Sequence, residues 1–136
     1  MAALWWSSSR TPPPSEPDVV RAMLHNSMHV FAYGALAGSL LLWFGIETEP
    51  RTLRRRSALA SVVLAVAYGG VDEWHQSRVP GRVCSAADLL SDAMGAVLAV
   101  AVVAHLVVRH GRAAAALPYL VLGCALSTSL ATFTNW

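Results

Sequence analysis

The chain has 136 residues, of which 55% are hydrophobic and only 13% charged, with a mean hydropathy of +0.48. Soluble domains carry about 25% charged residues, so this balance excludes a disordered chain and counts against a soluble enzyme; the length allows one domain. The net charge is a modest +2, and all ten cations are arginines that form no patch interleaved with aromatics, which argues against a nucleic-acid partner.

Residues 1–24 read as a proline-rich tail. Four prolines between Thr11 and Pro17 forbid helix, and the first twenty residues are too polar for the apolar core of a cleavable signal. Beyond the tail, residues 25–136 read as one transmembrane domain. Four apolar segments approach the roughly 20 residues that a helix needs to cross the hydrocarbon core. They cover about 25–46, 57–76, 86–108 and 113–133, the last with Pro118 near its first turns, where proline does least damage. A soluble helical bundle would show a polar stripe of period 3.6 on each surface helix. Segments two to four are instead apolar all round through their middles, with polar residues gathered at the ends. The expected fold is therefore all-α, a polytopic bundle of four spans.

Alternation of the spans puts the tail on one side and the loop 47–56 on the other. The second side holds Arg51, Arg54, Arg55, Arg56, Arg109 and Arg112, against Arg10, Arg21, Arg78 and Arg82 on the tail's side. The positive-inside rule makes the Arg54–Arg56 side cytoplasmic and turns both termini outward.

Three polar clusters fall on the outward side. The start of segment one supplies His25, Asn26, His29 and Tyr33. The end of segment two supplies Asp72, Glu73, His75 and Gln76. The following loop and the start of segment three supply Arg78, Arg82, Asp88 and Asp92. His25, His29 and Tyr33 are each four apart, Asp72 stands i,i+3 and i,i+4 from His75 and Gln76, and Asp88, Asp92 and Gly95 continue one stripe. A charge near the bilayer centre costs about 2.5–3.5 kcal/mol and less at the interface. Such groups should turn inward and pair, which predicts an outward-facing polar pocket. Each piece also has a plainer reading: Asp72 and Glu73 as a helix end at the headgroup layer, Asp88 as a helix cap or the partner of Arg82, Val79-Pro80-Gly81 as a turn. His105 reads as structural. Gly123, Ser127, Ser129 and Thr132 of segment four read as close helix packing. Two cysteines, Cys84 and Cys124, make no disulfide framework.

The run Asp72-Glu73-Trp74-His75-Gln76, then Val79-Pro80-Gly81-Arg82, then Asp88 and Gly95, resembles the VanZ-like family. That family shows a DExxQ-type segment, a V-P-G-R turn, and an aspartate opening the next helix with a glycine inside it. Upstream, His29-Val30-Phe31-Ala32-Tyr33 with Leu36 looks like its H-F-x-x-Y-x-x-L element. The resemblance covers about Ser7 to Val103. Asp92 stands where many members have asparagine, and His25 lies outside the pattern. Members usually begin with an additional transmembrane helix that ends in a serine-rich segment; Trp5 to Ser9 with Thr11-Pro12 look like the tail of that helix. The resemblance implies a bacterial envelope membrane protein, in a family whose founding member is linked to teicoplanin resistance, and it implies no particular reaction.

Three functional classes follow. In the first, the pocket binds a lipid-linked cell-wall precursor, a lipid headgroup or a glycopeptide, with His29, Tyr33, Asp72, Glu73, Gln76, Arg78, Arg82, Asp88 and Asp92 as the lining and the arginines on phosphate or carboxylate. In the second, a membrane-embedded hydrolase or transferase uses Asp72 or Glu73 as general base, His75 as acid/base partner and Arg82 as clamp. A metal variant would draw on His25, His29, Asp72 and His75, although the H-E-x-x-H pattern is absent and no cofactor is implied. In the third, a proton-linked transporter subunit uses the same carboxylates and histidines as a relay. Membrane lipids are expected partners in every case, and a chain this small suits a homo-oligomer.

Overall fold

A computed structural model describes Ser9 and residues 19–44, 55–81, 85–108 and 111–134. Among these the secondary structure is entirely helical: α1 (Val19–Phe44), α2 (Arg55–Gln76), α3 (Ala86–Val108) and α4 (Gly111–Thr134). The first helix starts before the expected His25, and α4 begins at Gly111, which sets Pro118 about two turns inside it. A proline there removes one backbone donor, which neighbouring helices and hydroxyl side chains can offset in an apolar bundle.

The helices run up and down. α1 and α3 are parallel and form the centre, with α2 and α4 flanking them. Their register is set by glycine. Gly34 faces Gly95, where an added Cβ would lie 3.0 Å from the Gly95 carbonyl oxygen, and a Cβ on Gly95 itself would drive into the backbone of Val30. The two backbones therefore touch directly, the packing that small residues permit between helices. One turn on, Gly38 meets Ala99. α2 runs back along α3, with Gly69 against Leu89 and Asp92; α4 runs back along α3 and α1, with Gly123 against Met94 and Thr132 against Asn26.

The apolar core is built from small side chains. Ala37, Ala65 and Ala96 are fully buried, with Leu36, Val62 and Val100 packed on them. The buried set otherwise includes Asn26, Ser61, Asp72, Glu73, Gln76, Asp88, Ser91 and Asp92, while Phe31, Trp43, Leu59, Leu106, Leu126 and Phe133 are exposed. This reverses the usual arrangement, in which acids are the residues least often fully buried. The buried or half-buried hydroxyls bond their own helices: Ser61 to the Ser57 carbonyl, Ser91 to Ala87, Ser127 to Cys124 and Thr132 to Thr128. Ala86–Leu106 is the one helix among the described residues that is long and apolar enough to cross a membrane, and most of that stretch is not buried within the protein. Leu117–Phe133 is apolar but shorter.

Candidate functional site

The C-terminal turns of α2 and the N-terminal turns of α3 lie at one end of the bundle, beside the first half of α1. Sequence spacing put polar residues at these three places, and the fold brings them together. Asp92, wholly buried, stands on α3 facing α1, and its Oδ1 lies 2.9 Å from His29 Nδ1, an imidazole N–H donating to a carboxylate. Its other oxygen, Oδ2, lies against α2, where a Cβ on Gly69 would approach to 2.6 Å. Glycine at position 69 is what leaves room for that carboxylate. Glu73, one turn further along α2, accepts the backbone N–H of Ser85 through Oε2 at 2.8 Å. Glu73 lies within electrostatic range of His29, Asp88 and Asp92.

Ser85 is the cap of α3. Its hydroxyl accepts from the Ala87 N–H, and its carbonyl accepts the first helical bond from Leu89. Capping therefore falls to Ser85, with Asp88 in the first turn, rather than to Asp88 itself. In a capping box the acid three residues on reaches back to the cap's own N–H; here Glu73 of the neighbouring helix takes that place. This leaves Asp88 buried at the helix N-terminus, where its charge suits the helix dipole.

Gln76 donates to Asp72 Oδ2 at 3.0 Å across one turn of α2, and both are buried. A file of rings runs beside these acids. His25 meets His29 edge-on at 5.4 Å, His29 stacks on Tyr33 at 6.0 Å, and Tyr33 meets Tyr68 of α2 at 6.3 Å. Tyr33 is buried next to Asp72 and Asp92.

Not every expected residue joins the cluster. Asn26 turns the other way and donates to Thr132 of α4 at 3.1 Å, a buried tie between first and last helix. Arg78 is exposed, its guanidinium 3.5 Å over the Trp74 ring. His75 is half-buried at the rim, where its Nε2 lies 2.9 Å from Ser9 Oγ of the tail. Arg82 and Cys84 lie outside the described residues. Among the described residues, no three histidine, cysteine or acidic side chains are grouped to hold a metal ion. His29, one of the four suggested ligands, is committed to Asp92. Val79-Pro80-Gly81 forms the expected turn, with Gly81 at φ 80°.

Ser9, Tyr68, Gly69 and Ser85 were missed by sequence reasoning. Gly69 and Tyr68 sit one turn before Asp72 and Glu73, so helical spacing already set them on the same side of α2. Ser85, three residues before Asp88, carried a capping signal. Nothing local marked Ser9.

The VanZ/LLP1 family model matches residues 2–108, which take in the tail, the first three helices and every residue of the cluster, and leave out α4. No curated relative and no solved structure matches the chain.

Proposed function

The chain belongs to the VanZ/LLP1 family, and on that premise we propose that it is a multi-pass protein of the bacterial cell membrane whose buried polar end binds the headgroup of a membrane-resident ligand. The observation that carries this reading is the inverted burial. Carboxylates and amides from three helices are packed inside one end of the bundle, with the half-buried His29 against Asp92, and large apolar side chains cover the outside. In water that arrangement leaves apolar surface exposed far beyond what a monomer tolerates. In a bilayer it is the expected one: lipid covers the exterior, small residues join the helices, and intramembrane ionisable groups turn inward.

The four helices cross the membrane in turn, the Arg54–Arg56 end lies in the cytoplasm, and the cluster opens outward. Candidate ligands at that face of the membrane are a lipid-linked cell-wall precursor, a lipid headgroup or a glycopeptide. Arg78 stays at the rim, beside Trp74 in the headgroup layer, where a guanidinium meets phosphate. A contribution to envelope maintenance or to glycopeptide resistance follows from occupying such a ligand.

The test is photocrosslinking in bacterial membranes with a benzoylphenylalanine in place of Tyr68. A lipid or lipid-linked adduct, lost when Asp72→Asn is added, supports the headgroup site. Adducts only to protein, unchanged by Asp72→Asn, count against it.

The His29–Asp92 pair favours one second reading, a membrane-embedded hydrolase or transferase. A histidine oriented by a buried carboxylate is the arrangement of a general base. Turnover of a bound lipid-linked substrate that is lost in Asp92→Asn while binding survives would select this reading.

A further inference from the structure

We propose that the end of the bundle opposite the buried acids is a docking surface for the headgroups of anionic phospholipids. This rests on the membrane-spanning part of the reading above and is independent of the ligand at the other end.

Three helix contacts fix which residues share a level there. Gly38 of α1 meets Ala99 of the parallel α3. Gly69 of α2 meets Asp92 of α3, and Gly123 of α4 meets Met94 of α3, both across antiparallel pairs. Every helix rises by the same amount per residue. Counting outward from these contacts therefore brings Trp43, Arg55, His105 and Arg112 to one level, one from each helix. Arg56 follows Arg55, and both are exposed.

Charge at this level is of one sign. α2 and α4 begin here without an acid in the first turn, and the last turn of α3 adds His105. The acids among the described residues, Asp72, Glu73, Asp88 and Asp92, all lie at the opposite end. The segments joining α1 to α2 and α3 to α4 carry Arg51, Arg54 and Arg109 against Glu47 and Glu49. Six arginines thus stand against two glutamates. Arg55 and Arg56 also open α2, where the helix dipole disfavours cations. This end calls for more negative charge than the chain supplies.

The apolar neighbours identify the source of that charge. Trp43 is 88% exposed, and Leu42 and Leu59, near the same level, are each more than half exposed. In a bilayer these side chains meet lipid, and tryptophan marks the headgroup layer. Arg55 is level with Trp43, so the nearest anions are lipid headgroups. Each arginine near a leaflet surface strengthens attraction to anionic lipid about fivefold. A choline lipid offers the same phosphate but cancels its charge, so the surface discriminates by net charge.

The test reconstitutes the full chain in nanodiscs of equal phosphatidylglycerol and phosphatidylcholine content with identical acyl chains. The lipid retained after repurification in detergent is then quantified. Wild type should retain phosphatidylglycerol preferentially, and Arg55→Gln with Arg56→Gln should lower the preference about fivefold for each arginine removed. Arg55→Lys with Arg56→Lys should keep most of it. A second measurement leaves the arginines intact. Benzoylphenylalanine in place of the exposed Trp43 should crosslink phosphatidylglycerol in excess of phosphatidylcholine, and about 1 M salt, where the screening length falls to about 3 Å, should remove the excess. Equal retention of the two lipids by the wild type, or equal crosslinking from position 43, overturns the proposal. So does a preference unchanged by the two glutamines; if Arg78→Gln removes it instead, the anionic lipid belongs to the other end and the headgroup reading stands. Thermal protection by inorganic phosphate in all-phosphatidylcholine discs, without any lipid preference, also overturns the lipid as partner and assigns the arginines to a soluble anion. A chain that does not enter the discs removes the membrane-spanning reading together with this one.

Discussion

His29 and Asp92 are joined at 2.9 Å between the two parallel helices at the centre of the bundle, with the aspartate completely enclosed. The pair ties α1 to α3 one turn before the glycine contact that sets their register. Removing the hydrogen-bond partner of a buried carboxylate is costly because the carboxylate stays behind unpaired, by about 3 kcal/mol. His29→Ala should therefore lower the stability of the detergent-solubilised protein by about that amount. Asp92→Asn should cost less, since the amide oxygen still accepts the hydrogen bond. The double variant should cost less than the two changes summed. A cost for His29→Ala within about 0.5 kcal/mol, the range of a surface substitution, contradicts this.

The glycines make a sharper prediction because they differ in surroundings. A Cβ at Gly95 meets the Val30 backbone, which has no flexible end to give way, whereas a Cβ at Gly70 meets nothing within 4 Å. Gly95→Ala should force α1 and α3 apart and lose the monodisperse folded protein. Gly70→Ala should be neutral or stabilising by about 0.5–1 kcal/mol, as expected for glycine replaced by alanine in a helix interior. Size-exclusion profiles and melting curves of the two variants decide it.

Much of this was legible in the sequence, for a physical reason. Helical periodicity fixes which residues share a face, so His29 with Tyr33, Asp72 with Gln76, and Asp88, Asp92 and Gly95 fall on common stripes before any coordinates exist. Alternation of four apolar segments brings three of those stripes to one end. Periodicity does not say which neighbour a face meets. Asn26 shares the first turns of the histidine segment yet pairs with Thr132, because it points toward α4 rather than α3. Gly69 carries no chemical signal of its own; its importance comes from the Asp92 carboxylate that approaches it from another helix. The Ser9 contact with His75 spans 66 positions and has no local signature at all.

Glu73 links the end of α2 to the start of α3 by accepting the Ser85 N–H. Glu73→Gln preserves an acceptor oxygen and should cost little stability. Glu73→Ala leaves the buried Ser85 N–H without its partner and should cost about 1–3 kcal/mol. Hydrogen exchange at the first turn of α3 provides a local readout: Glu73→Ala should speed it and Glu73→Gln should not. Equal exchange in both variants would show that the contact does not hold the helix start.

The membrane arrangement is tested by labelling single cysteines in a background with Cys84→Ser and Cys124→Ala. Ser77→Cys, at the exposed end of α2 next to the cluster, should react with a membrane-impermeant maleimide in intact cells. Arg56→Cys, at the other end of the same helix, should react only after the membrane is opened. The opposite pattern reverses the orientation. Equal labelling of both in intact cells removes the spanning assignment of α2.

The most direct measurement is native mass spectrometry of the full chain, extracted from bacterial membranes in a mild detergent, alongside Asp72→Asn and Asp88→Asn. A headgroup site at the buried end predicts a co-purifying lipid or lipid-linked mass on the wild type that both substitutions deplete while the protein stays folded. A bare protein mass in all three samples, or a lipid retained equally by all three, would contradict it.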